Sequence, residues 1–138
     1  METGRSKGTV STDLEDLRER LLGRHAVPVT VQGACMSPAL ADGEMILVHR
    51  TREPRRGDVA LLDAGGTLEV HRLLDRVCSR GRTWYVHGGD ASGAACGIAG
   101  ESDVLGIASA PRARSVPVRA RLLGLALRAR ALLDVLLR

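Results

Sequence analysis

Three residues have side chains suited to nucleophilic chemistry: Cys35, His71 and Asp90. Cys35 sits in Gly33-Ala34-Cys35-Met36-Ser37-Pro38, between two strand-like runs and ahead of a turn at Asp42-Gly43. A nucleophile on such a turn is exposed, and backbone N–H groups of the loop would point at an oxyanion beside it. Taken alone, a single cysteine is more often a small buried hydrophobe. His71 lies in the run 67–74, where strict alternation sets it beside Glu69 and Leu73 and on the face opposite Val70 and Arg72. Imidazole is the group most readily tuned as a general base near neutral pH, although an isolated histidine also reads as structural. Asp90 closes Gly88-Gly89-Asp90, where a carboxylate would orient an imidazole as the third member of a triad or simply complete a turn. Asp58, in Arg56-Gly57-Asp58, is a turn residue or an anchor for the next strand. The remaining histidines are less telling: His25 follows a helix, His49 ends a strand and His87 precedes a glycine pair.

Other chemistries are poorly represented. Of twenty basic residues nineteen are Arg, and the single Lys7 lies in a polar N-terminal stretch, which leaves no catalytic lysine. Cys35, Cys78 and Cys96 form neither a C-x-x-C pair nor an even-numbered framework, so no zinc site, other metal site or disulfide scaffold is indicated. Cys78 follows a strand and reads as a partly buried structural residue. No nucleotide-binding glycine fingerprint occurs, and no cofactor is implied.

The elements that must position these residues are short. A chain of 138 residues, 44% apolar and 26% charged, is one globular domain. Its aromatics are only Trp84 and Tyr85, so the core is aliphatic and base-stacking nucleic-acid readers are disfavoured. Residues 1–10 read as a disordered lead. Ser11 or Thr12 can cap a short helix carrying Leu14, Leu17 and Leu21 and closed by Gly23. Six strand-like runs follow, at 27–32, 44–50, 57–62, 67–74, 83–88 and 104–109, each bounded by Gly, Pro or Asp. The expected fold is mainly β: a small coiled all-β domain over 11–110 that includes the N-terminal helix. Residues 111–138 form a basic linker and an amphipathic C-terminal helix. On that helix Leu122, Leu125, Ala129, Leu132, Leu133 and Leu136 share one sector, with five Arg on the other faces. Such a stripe would dock on the domain, on a second copy, or on an anionic membrane surface.

Taken in order, Gly-x-Cys-Met-x-Pro, Arg-Gly-Asp-Val, Val-His-Arg, Gly-Gly-Asp and Asp-Val-Leu-Gly resemble the type I signal peptidase family, within the wider signal-peptidase-like superfamily, across about residues 29–109. The His-Arg box and the following Gly-Asp resemble the archaeal and endoplasmic-reticulum branch. The resemblance implies a coiled β catalytic domain with Cys35 in the nucleophile position, His71 in the base position and Asp90 in that of a supporting acid. Gly33, Ala34, Met36, Ser37 and Pro38 would then form the substrate and oxyanion loop. It also implies a peptide or precursor-protein substrate, cut after small side chains such as Ala-x-Ala and held extended beside a sheet edge.

The chain departs from that pattern in three ways. Cys35 replaces serine, and a thiol beside a histidine is chemically competent. Cys96 falls roughly where a second acid is expected, which suggests a redox or auxiliary role through a Cys35–Cys96 disulfide or a sulfenate; Asp103 reads as structural. No secretory signal or membrane-spanning run is evident, so a cytoplasmic location is expected, with helix 119–137 providing either peripheral membrane contact or self-association. A catalytically inactive peptide-binding module of the same fold is the alternative to a Cys–His peptidase. A DNA-binding relative of the self-cleaving repressors is disfavoured, because those use a Ser/Lys pair and a helix-turn-helix, so no nucleic-acid partner is expected.

Overall fold

The computed structural model describes residues 14–23, 26–50, 53–91 and 96–109, together with residues 122, 125, 126, 129, 130, 132, 133, 136 and 137. Among the described residues helix α1 (Leu14–Gly23) is followed by seven strands: β1 (Val27–Thr30), β2 (Met45–His49), β3 (Val59–Ala64), β4 (Thr67–Ser79), β5 (Arg82–Gly88), β6 (Cys96–Gly100) and β7 (Val104–Ala108). A single 3₁₀ turn, Glu101–Asp103, links the last two. All strands join one antiparallel sheet in the order β1-β2-β7-β3-β4-β5-β6. The fold is thus mainly β, as the alternating runs imply. The expected helix caps Ser11 and Thr12, the lead 1–10 and the linker 111–118 lie outside the described residues.

Two hairpin turns set the central register. Gly65 and Gly66 both have positive φ, 68° and 91°, as do Arg80 and Gly81, 52° and 73°. Two consecutive left-handed residues match the twist of the flanking strands, so β3–β4 and β4–β5 close tightly. Asp63 reinforces the first turn by accepting the Gly66 N–H at 2.8 Å. β4 runs on to Ser79, past the apolar run that is broken at Asp75 and Arg76, because β5 pairs along this half as well. β6 is a strand the sequence did not announce, since Cys96-Gly97-Ile98-Ala99-Gly100 has little apolar bulk.

The sheet carries buried residues on both faces, although Met45 and Leu47 of β2 face solvent. On one, Leu17 and Leu21 of α1 pack with Val27, Val29, Ile46, Val48, Leu61 and Val70, and with Met36 and Leu40 from the loop after β1. Each such leucine contributes about 1.5–3 kcal/mol by leaving water. The opposite face gathers Ala60, Leu62, Leu73, Tyr85, Ala99 and Ile107. β3 lies between β7 and β4, and Val59, Ala60, Leu61 and Leu62 are buried in succession. Of the expected C-terminal helix, the described positions between 122 and 136 are helical and Leu137 is not, with Leu122, Leu125 and Leu133 exposed. Among the described residues no helix is long and apolar enough to cross a membrane.

Candidate active site

The loop carrying Cys35 is held from both ends. Val31 N–H bonds Glu44 O and Gly43 N–H bonds Val31 O, each at 2.8 Å, while Gly33 N–H donates to Asp42 Oδ1 at 2.9 Å. Within the loop, Ser37 N–H reaches Ala34 O and Leu40 N–H reaches Met36 O. Met36 and Leu40 are wholly buried, so two apolar anchors pin a turn that otherwise lies at the surface. Cys35 is half-buried between them and solvent, with Sγ 3.8 Å from the Val70 carbonyl oxygen on β4. Its own carbonyl accepts the Ala91 N–H at 2.9 Å, which ties the loop to the segment holding Asp90.

His71 occupies the face that alternation assigns to it, with Glu69 and Leu73. It is 4% exposed, and its Nδ1 lies 2.8 Å from Nδ1 of His87, which is 7% exposed. Glu69 Oε2 is 3.7 Å from the same His71 nitrogen. Burial lowers the His71 pKa, opposed by the negative charges of Glu69 and Asp90. Burial, followed by the charge of His71, lowers His87 to about 4. Both imidazoles are therefore neutral at pH 7, and one donates its Nδ1–H to the other. The adjacent Glu69 carboxylate favours the proton on His71 Nδ1, which leaves the His71 Nε2 lone pair free to accept a proton.

Asp90 is placed differently from the orienting acid expected of it. Its two oxygens accept from Arg72 Nε and Nη2, each at 2.7 Å, and the partners' side chains are 0% and 2% exposed. Arg72 Nη1 also donates to Gly57 O at 2.8 Å. The Arg-Gly-Asp, His-Arg and Gly-Gly-Asp segments thus converge on one guanidinium, whose planar fork suits a carboxylate. Asp90 acts on His71 as a nearby charge, and His87 takes the place at Nδ1. Asp58 is a turn residue, as one of its two readings has it: Oδ2 accepts the Arg55 N–H at 2.8 Å.

Three residues of this cluster, Glu69, Arg72 and His87, were not among those the sequence singled out for a role. His87 reaches His71 through a register shift between Leu73 and Asp75. The pairing that begins at Ser79↔Arg82, continued unbroken, would set His87 opposite Leu74 on the other face; the bulge sets it opposite Leu73. Cys96 opens β6 opposite Gly88, and loss of hydration pushes its thiol pKa up, making it a poor thiolate at neutral pH. Cys78 is exposed on β4, 3.8 Å from Thr83 Oγ1.

Comparison with curated proteins and with solved structures yields no match. A family model described as Peptidase S24-like matches residues 5–86, a stretch that includes β1 to the middle of β5 and carries both Cys35 and His71. That is more than half of the chain, and it covers the pinned loop together with the strand whose backbone the thiol meets. The chain belongs to the Peptidase S24-like family, a peptidase-type lineage within the S24/S26 superfamily.

Proposed function

We propose that the protein is a peptidase in which Cys35 is the nucleophile, His71 the general base and then acid, and His87 the residue that holds the His71 ring. The observation that carries this reading is the position of the Cys35 sulfur at the Val70 carbonyl, one residue from His71, whose Nδ1 is occupied by His87. With Nδ1 engaged, Nε2 takes the thiol proton as sulfur attacks the scissile carbonyl carbon. Loop N–H groups between Gly33 and Pro38 stabilise the resulting oxyanion. Collapse breaks the C–N bond, and His71 returns the proton to the leaving amine, giving an acyl-thioester on Cys35. Water then loses a proton to His71 and displaces the thiolate, releasing a carboxylic acid and restoring the thiol. The substrate is an extended peptide or precursor protein with small side chains before the cleaved bond, following the signal-peptidase-like motifs.

Two measurements test this. Purified protein is incubated with peptides containing Ala-x-Ala, and products are identified by mass spectrometry. Cleavage is expected in the wild type, retained at a reduced rate in Cys35→Ser and abolished in Cys35→Ala. In parallel, alkylation of Cys35 at neutral pH is compared between wild type and His71→Ala, with slower labelling expected in the variant. No cleavage, together with labelling indifferent to His71, would overturn the catalytic reading in favour of a peptide-binding module of the same fold.

A further inference from the structure

Two buried imidazoles and a carboxylate converge on one point between β4 and β5. Glu69, His71 and His87 each offer one ligand atom, and the three atoms lie within 4.8 Å of one another. Both histidines are buried, and the Glu69 side chain is 15% exposed, so the cluster opens to solvent on the carboxylate side. The His87 ring lies against Gly97 on β6, where an added Cβ would come within 2.9 Å of Nε2 and 3.0 Å of Cε1. Glycine there lets the ring sit against the backbone with Nδ1 turned towards His71. A pair of neutral imidazoles with one carboxylate is the donor set that suits zinc(II) and its neighbours in the first transition row.

We propose that Glu69, His71 and His87 form a three-ligand site for a divalent transition metal, zinc(II) being the best match, and that filling it switches off the His71 base. The two Nδ1 atoms, now 2.8 Å apart, need to separate only to about 3.3 Å to share a tetrahedral ion with ordinary Zn–N bonds. When the metal takes both Nδ1 lone pairs, the proton that lay between them moves to Nε2 through a change of tautomer. His71 then presents Nε2–H and has no lone pair for the Cys35 thiol. The fourth position is left to water. Spacing of cysteines gave no hint of this site, because no cysteine belongs to it and its histidines meet only through the β4 bulge. The metal site stands on geometry alone, whereas the switch rests on the peptidase reading.

The test uses the full chain stripped of metal. Zinc(II) is titrated calorimetrically and cobalt(II) is followed by its visible ligand-field absorption. One equivalent is expected to bind, with an intense low-symmetry cobalt spectrum. Glu69→Gln and His87→Gln, each verified as folded by circular dichroism, are expected to bind at least about tenfold more weakly. A variant with all three cysteines changed to serine is expected to bind as the wild type does. Absence of one-to-one binding, or binding that survives both substitutions or depends on the cysteines, would overturn the site. Zinc is further expected to slow Cys35 alkylation and peptide cleavage, and a chelator to restore both. Stoichiometric binding that leaves both rates unchanged overturns the switch and keeps the site, and failure to cleave any peptide with binding intact isolates the fault in the peptidase reading.

Discussion

Arg72 and Asp90 form a bidentate ion pair beside the site, both bonds 2.7 Å, with side chains 0% and 2% exposed. The pair joins β4 to the turn after β5, and that turn in turn holds the Cys35 carbonyl through Ala91. A charge buried this deeply is tolerable only while its partner is present.

Removing one member is therefore expected to cost more than removing both. Arg72→Met or Asp90→Asn should each lower stability by about 3–5 kcal/mol, while Arg72→Met with Asp90→Leu should lose less than either single change. Urea midpoints of the four proteins check this. A strictly additive double variant would show that the pair is not coupled.

Acid should loosen the fold through His87. Its pKa falls from 6.5 in the unfolded chain to about 4 in the folded one, so the unfolded state binds the proton first as pH drops. The stabilisation is complete above pH 6.5 and is lost as the pH falls through about 4, amounting to roughly 3 kcal/mol at most. His71 adds in the same direction, since burial also lowers its pKa. Thermal melts in chelator-containing buffer should show this slope in the wild type and a shallower one in His87→Gln.

Glycines 97 and 106 should respond unequally to alanine. At Gly106 a Cβ would meet Val48 Cγ1 at 2.6 Å and the His49 carbonyl oxygen at 2.8 Å, and the backbone cannot step aside. At Gly97 the obstacle is the His87 ring. Both changes overpack, at about 1–3 kcal/mol, with Gly106→Ala the more damaging. Gly97→Ala should instead displace the His87 imidazole resonances, read by NMR, while leaving most of the sheet's amide shifts in place.

Helix α1 should matter through its leucines more than through its ion pair. Leu17 is 1% exposed and should cost about 2–5 kcal/mol on truncation to alanine. Arg18, whose Nη2 lies 2.8 Å from Asp63 Oδ2, has a 41%-exposed side chain, so Arg18→Ala should cost no more than about 1 kcal/mol. Chemical denaturation of the two variants separates the contributions.

Much of this architecture was legible before the fold was known, because burial imposes a period. Alternation alone placed His71 with Glu69 and Leu73, and the Gly-rich turns bounded the hairpins. β6 escaped because two of its five residues are glycine, and the far half of β4 escaped because Asp75 and Arg76 interrupt the apolar pattern. The pairing of Asp90 with Arg72 was unreadable for a different reason. Motif order brings a carboxylate near a histidine without saying which basic neighbour it will bond, and the adjacent Arg72 offers a charged, forked donor that a neutral imidazole cannot match. His87 was hidden by a single inserted residue in a ladder, which no local pattern encodes.

The place of β7 bears on how a newly made chain comes to life. The residues of the proposed chemistry all lie at or before residue 90, yet β2 and β3 are not neighbours in the sheet, and it is β7, residues 104–108, that pairs with both. A nascent chain thus carries its nucleophile on one fragment and its base on another, each with an open edge. The last strand works as a clasp: by pairing with both sides it holds the thiol's loop and the imidazole's strand in one frame.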